Sequence, residues 1–232
     1  DWGHDEVPFL ITEYLGGGSL RGMLAAGERL TLSQALLTGL EAARGLEYAH
    51  GRELIHRDIK PANLLYDESG RLRIADFGLA RAIAEAGLTD QDGSMVGTAR
   101  YAAPEQARGE RVGPAADIYA LALTINEAVT GHVPFVGDTA IATLMARADT
   151  PFEPDPELGP MQGVLRRCGA LDPAQRPSAG ELAASLMASA TDLSRPTPLP
   201  LIEPAPGIEM EIDSTQHGTV HQVSPLGPVG GD

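Results

Sequence analysis

From Asp117 to Val129 the chain reads DIYALALTINEAV, a run in which nine of thirteen residues are apolar and no continuous polar face is left. A surface helix carries an apolar stripe and a polar face, so a helix that is apolar all round has to be enclosed by other elements. The run is too short to span a bilayer, which takes about 20 residues, and Gly131 stands where such a helix would stop. It predicts the central rod of a helical core, for which the rest of the chain has to supply the shell.

Candidates for that shell are legible on both sides. Thr31 with Gln34 three residues on forms a capping box, and Leu36, Leu40 and Ala43 recur at helical spacing until Gly51, which predicts one long amphipathic helix. Weaker helical signals cover Thr139 to Arg147 and Met161 to Ala170, and Ser178 with Glu181 caps a last helix running toward Ala190. Strands are expected at the front, in the apolar run Val7 to Tyr14 before a turn at Gly16-Gly17-Gly18. A hairpin is expected where Leu64–Tyr66 and Leu72–Ala75 flank the turn sequence Asp67-Glu68-Ser69-Gly70. From Thr191 onward prolines accumulate, and no aromatic residue follows Phe152. Such a segment buries too little apolar surface to offset its ordering entropy, so residues 191–232 read as a disordered tail.

Charge and cysteine count exclude several functions. With 32 acidic against 17 basic residues and a net charge of −15, the chain is a poor match for a phosphodiester backbone, which argues against nucleic acid as partner. No segment is apolar for long enough to enter a membrane, and the acidic start does not resemble a signal peptide. The single cysteine, Cys168, forbids an internal disulfide and a multi-cysteine metal site, in keeping with a reducing, cytoplasmic setting. It lies in an apolar helix and reads as a small core residue. His4, His50, His132, His217 and His221 have no ligand spacing and receive no role.

The basic residues hold one further signal. All but one are arginine, and the single lysine, Lys60, falls in the run His56-Arg57-Asp58-Ile59-Lys60-Pro61-Ala62-Asn63. Asp76-Phe77-Gly78 follows at the end of the hairpin, and Ala103-Pro104-Glu105 comes later. In order and spacing these motifs resemble the catalytic loop, the metal-binding triplet and the A-P-E of the eukaryotic-type serine/threonine protein kinases. The resemblance covers residues 1 to about 190. It implies an α+β, protein-kinase-like fold, with hinge and mainly helical large lobe in residues 1–190, remnant strands of a small lobe, and the tail 191–232.

Phosphoryl transfer is mostly positioning and charge neutralisation, and the resemblance distributes the roles. Asp58 is the base, Asn63 and Asp76 hold magnesium, and Lys60 extends toward the transferred phosphate, where an ammonium balances developing charge. A lysine at this place goes with serine/threonine specificity. Glu13 and Leu15 resemble the hinge that bonds adenine, with Thr12 guarding the pocket behind it, and Leu65 joins the ATP-binding set. Glu105 and Arg176 match a buried ion pair, Asp117 matches the carboxylate that accepts backbone hydrogens from the catalytic loop, and Phe77 stacks with His56. Arg57, directly before the base, and Arg81, shortly after the D-F-G triplet, are placed to meet a phosphate on Thr89 or Ser94 of the loop between Asp76 and Glu105, while Thr98 shapes the substrate site.

The Gly-rich loop, strand lysine and helix glutamate of that family's small lobe have no counterpart in these residues. Gly16-Gly17-Gly18-Ser19 follows the hinge strand, lacks the G-x-G-x-x-G spacing and reads as a turn. The chain is therefore expected to comprise hinge and large lobe only, and to bind ATP weakly without transferring phosphate on its own. The Val7–Tyr14 strand, lacking sheet partners, invites self-association through its edge. Two functions follow: a kinase acting on Ser/Thr of protein substrates with ATP and Mg2+, or a non-catalytic module that docks partners through the large lobe and tail.

Overall fold

The computed structural model describes residues 2–4, 8–10, 12–77, 100–135, 137 and 139–202. In chain order its regular elements are β1 (Trp2–His4), β2 (Pro8–Leu10), α1 (Leu20–Ala25), α2 (Leu32–His50), β3 (Leu64–Tyr66), β4 (Leu72–Ile74), α3 (Pro104–Ala107), α4 (Ala115–Thr130), α5 (Ala140–Ala148), α6 (Gln162–Cys168) and α7 (Ala179–Ser189). Among the described residues this is a mainly helical α+β arrangement with two short antiparallel sheets, β1–β2 and β3–β4.

Helix α4 is the rod that its composition predicts. Every residue from Ala116 to Ala128 is buried, and the helix ends at Gly131, whose φ of 83° suits a residue without Cβ. Around it lie α2, α6 and the turns flanking α6. Both expected capping boxes form. Thr31 and Gln34 open α2, and Ser178 and Glu181 open α7, each bonding the other's backbone N–H. Helix α2 approaches α4 closely at Gly39, where a Cβ would stand 2.6 Å from Ile125 Cδ1. Only glycine permits that spacing without moving the isoleucine. Full burial of a side chain such as Ile125 contributes about 1.5–3 kcal/mol, so this seam is a main source of the lobe's cohesion.

The β3–β4 hairpin forms around the expected turn, with Leu64 opposite Ile74 and Tyr66 opposite Leu72. Asp67 Oδ1 accepts from Ser69 N and Arg71 N, which fixes the turn locally. The glycine turn at 16–18 lies along the outer edge of β3. Gly17 N–H donates to Tyr66 O (3.0 Å), and Tyr66 N–H to Gly18 O (2.8 Å). A Cβ on Gly17 would meet Asp67 O at 2.4 Å, so the approach requires glycine there.

The structure departs from expectation at both ends. The front strand is shorter than Val7–Tyr14, and it has a partner: Pro8–Leu10 pairs with Trp2–His4, while residues 12–15 leave the sheet and Tyr14 is 72% exposed. The two strands satisfy backbone groups of each other along one side, so the expectation that this strand lacks sheet partners is corrected, while among the described residues the sheet stays two-stranded. At the other end residues 193–202 do not detach from the lobe. Leu193, Leu199, Leu201 and Ile202 pack against the core cluster. Low aromatic content removes the driving force for an independent core, but an existing lobe can still hold these aliphatic residues.

Candidate active site

The catalytic-loop motif lies between the end of α2 and β3, and α4 fixes its backbone. Asp117, in the first turn of α4 and 1% exposed, accepts from His56 N–H at Oδ2 (2.9 Å) and from Arg57 N–H at Oδ1 (2.7 Å). Arg57 adopts φ of 67°, a sparsely populated conformation for a side-chain-bearing residue, and the paired bonds to Asp117 over-determine it. The buried ring of His56 donates from Nε2 to Ala75 O (2.7 Å) and accepts Asp58 N–H at Nδ1 (3.2 Å), which sets its tautomer. Its edge meets Phe77 with ring centroids 4.6 Å apart and planes at 62°. Ile59, fully buried, anchors the middle of the loop.

Three of the expected residues form one bonded cluster. Lys60 Nζ lies 2.7 Å from Asp58 Oδ2. Asn63 Nδ2 donates to Asp58 O (2.8 Å) and Asp58 Oδ2 (3.2 Å). The Asn63 backbone O accepts Ala75 N–H (2.9 Å), so the residue before Asp76 is tied directly to Asn63. Asp76 is exposed and has φ of 61°. Asn63 is 3% exposed, whereas the side chains of Asp58 and Lys60 keep 15% and 23% of their surface open. The cluster is thus rigid beneath and reachable from above.

Other expected residues are placed as follows. Glu105 and Arg176 pair bidentately at 2.7 and 2.8 Å with both side chains buried. Leu65 forms a bridge with Ser19, beside the glycine turn. Glu13 is exposed and Leu15 half-buried on the segment entering that turn; no described bond joins either to the Asp58 cluster. Arg81, Thr89, Ser94 and Thr98 lie outside the described residues, as does Gly78.

Some participants escaped the sequence reading. His50, given no role, holds Asp117 Oδ2 through Nε2 at 2.8 Å, so the carboxylate that fixes the loop is itself gripped from the end of α2. Gln106 Nε2 donates to Arg57 O (3.2 Å). Glu127, a carboxylate in the apolar rod, accepts from Tyr101 Oη and from Arg21 Nη1, joining α1, the A-P-E region and α4. Burial, together with Glu127, pushes the Tyr101 phenol well above its ordinary value. The isolated charge at Glu127 was a readable signal, because a buried carboxylate demands partners. Burial also pushes the Cys168 thiol up to about 12, as suits an inert core residue.

Comparison with known proteins agrees with this architecture. Residues 2–187 match the family described as protein kinase domain. The chain is 37% identical over 207 residues to the serine/threonine-protein kinase PknA of Mycobacterium tuberculosis, a match covering 88% of this chain and 48% of PknA. A probable serine/threonine-protein kinase of Streptomyces coelicolor is 36% identical over 176 residues, 73% of this chain and 26% of that protein. The serine/threonine-protein kinase drp72 of Corynebacterium efficiens is 44% identical over 138 residues, 60% of this chain and 26% of its own length. The chain spans about half or less of the length of these relatives. Among the described residues no helix is long and apolar enough to cross a membrane.

Proposed function

The chain belongs to the protein kinase family, and on that premise we propose that residues 1–190 supply the hinge and large lobe of a serine/threonine kinase that transfers the γ-phosphate of ATP to protein substrates. The observation that carries this reading is the bonded cluster of Asp58, Lys60 and Asn63 on a backbone clamped by Asp117. Lys60 and Asn63 both engage Asp58 Oδ2, which leaves Oδ1 to orient an acceptor hydroxyl and take its proton. Lys60 then stands beside the path of the transferred group, where its ammonium offsets developing charge. Serine/threonine specificity rests on that lysine and on the names of the relatives.

Magnesium fits the donors present. The Asn63 amide spends its nitrogen on Asp58, leaving the carbonyl oxygen Oδ1, and Asp76 adds a carboxylate one residue beyond the Asn63–Ala75 backbone bond. Such hard oxygen donors, few in number, suit an ion that completes its shell with phosphate and water. When bound, the ion neutralises phosphate charge. Glu13, Leu15 and Leu65 complete the ATP site in this reading, and a cytoplasmic setting would supply the nucleotide. Arg57 has a buried Nε without a hydrogen-bond partner among the described residues, a donor available to a phosphate on Thr89 or Ser94. Arg81 would assist, and Thr98 would shape the substrate site.

A non-catalytic docking module is not favoured, because such a module has no need of Asp58, Lys60, Asn63 and Asp76 together. The test is phosphotransfer to Ser and Thr peptides by the full-length gene product. Asp58→Asn should lower kcat by roughly 10²–10⁴ while nucleotide affinity stays within a few-fold. Undiminished transfer in that variant would refute the assignment.

A further inference from the structure

We propose that residues 193–202 are a docked strap of the large lobe, received by a surface at the start of α2 that suits an extended proline-rich segment, with Gln34 as its clasp. The proposal concerns a part of the chain beyond the family match, which ends at residue 187, and it stands independently of the catalytic reading.

Gln34 is 5% exposed and divides its amide between two tasks. Oε1 accepts from Thr31 N (2.9 Å) and Thr31 Oγ1 (3.0 Å), which is its half of the capping box. Nε2 donates across the lobe to Thr197 O (3.3 Å), Thr197 Oγ1 (3.2 Å) and Pro198 O (2.8 Å). Beside it Ser33 Oγ donates to Ser194 O (2.6 Å). A capping box needs only the acceptor, which glutamate supplies equally well. The donating half of Gln34 therefore has a purpose that helix capping does not explain.

The chemistry of the strap matches what the surface offers. Pro196, Pro198 and Pro200 have no backbone N–H, so this stretch presents mainly carbonyls in need of donors. Ser33 and Gln34 direct donors at three of those carbonyls, at Ser194, Thr197 and Pro198. The prolines also restrict the free segment, so docking it costs less entropy than docking an ordinary chain. Farther along, Leu199, Leu201 and Ile202 pack against the core, and Leu199 Cδ1 lies 4.0 Å from where a Cβ on Gly70 would stand. The strap thus runs from the end of α7 across the start of α2 to the turn of the β3–β4 hairpin. That hairpin connects Asn63 to Asp76, and the strap braces its far end.

Gln34→Glu separates the two tasks, because the carboxylate keeps the capping box but loses the donors and repels the strap carbonyls. The experiment is proteinase K digestion of the folded 232-residue chain, with cleavage inside 193–202 timed by mass spectrometry and helicity followed by circular dichroism. Cleavage there should accelerate roughly tenfold or more, the factor expected from losing one or two net hydrogen bonds, with helicity unchanged. Leu199→Asp, which leaves α2 untouched, should accelerate it too and keeps the test decisive if Gln34→Glu disturbs folding. Equal cleavage in wild type and both variants would overturn the proposal. So would a wild-type dimer by light scattering that becomes monomeric in Gln34→Glu, since the strap would then be docked on a second copy.

Discussion

Replacing Glu105 by Gln tests how far the lobe depends on one buried ion pair. The Arg176 side chain is 0% and that of Glu105 2% exposed, so water screens neither charge. Arg176 also donates to Ala170 O (2.8 Å) and Ala115 O (3.0 Å), and its guanidinium carbon lies 4.9 Å from the centre of the Tyr119 ring. Gln keeps the shape and one acceptor oxygen but leaves the guanidinium buried without a counter-ion. Breaking such a pair from one side costs about 3–5 kcal/mol. The surviving carbonyl bonds place Glu105→Gln near the lower end, about 3 kcal/mol, which for a domain of this size corresponds to a fall in Tm of roughly 6–12 °C. The double variant Glu105→Leu, Arg176→Met removes both desolvated charges and should recover most of the loss. Urea denaturation followed by circular dichroism reads both effects, provided m is unchanged. If Glu105→Gln costs less than about 1 kcal/mol, the pair behaves as an exposed one and the reasoning from burial is refuted.

Asp76→Asn should weaken the magnesium-dependent part of ATP binding in the full-length protein, in contrast to Asp58→Asn; calorimetry with and without Mg2+ would measure it, and equal loss in both variants would reverse the roles. Gly39→Ala gains up to about 1 kcal/mol of helix propensity but forces a Cβ to 2.6 Å from Ile125 Cδ1. Overpacking of this kind costs about 1–3 kcal/mol, so a net destabilisation is expected in thermal melts, relieved by Ile125→Val. The raised Cys168 thiol binds its proton up to about pH 12 in the folded chain, whereas the unfolded thiol titrates near its ordinary value. The unfolded state therefore holds fewer protons between those values, and this group's contribution to stability is lost progressively as pH rises through that window. At pH 8.5, iodoacetamide should label Cys168 only as fast as the chain opens; rapid labelling of the native protein would contradict its burial.

What the sequence determined by itself was of two kinds. Interactions spanning three or four residues were legible because both partners occupy one short window: the Thr31–Gln34 and Ser178–Glu181 boxes, the Asp67 turn and the stop at Gly131. The enclosure of α4 was legible because a helix apolar on every side has no stable place in water. The motif around Asp58, Lys60 and Asn63 also falls within six positions, so its chemistry could be read before its geometry. Three longer-range contacts, Glu105 with Arg176, Asp117 with the backbone at His56 and His56 with Phe77, were legible only through the family resemblance, and the tertiary structure alone decided the rest. His50 and Asp117 are 67 positions apart, Tyr101 and Glu127 are 26 apart, and Gln34 meets Thr197 across 163. Composition describes a segment's average tendency, and on that average residues 193–202 have no core of their own. Whether they dock depends on a complementary surface built elsewhere in the chain: donors at the start of α2 where the strap has carbonyls, and aliphatic core where it has Leu199, Leu201 and Ile202. That complementarity comes into being only when distant segments pack together, and no local pattern encodes it.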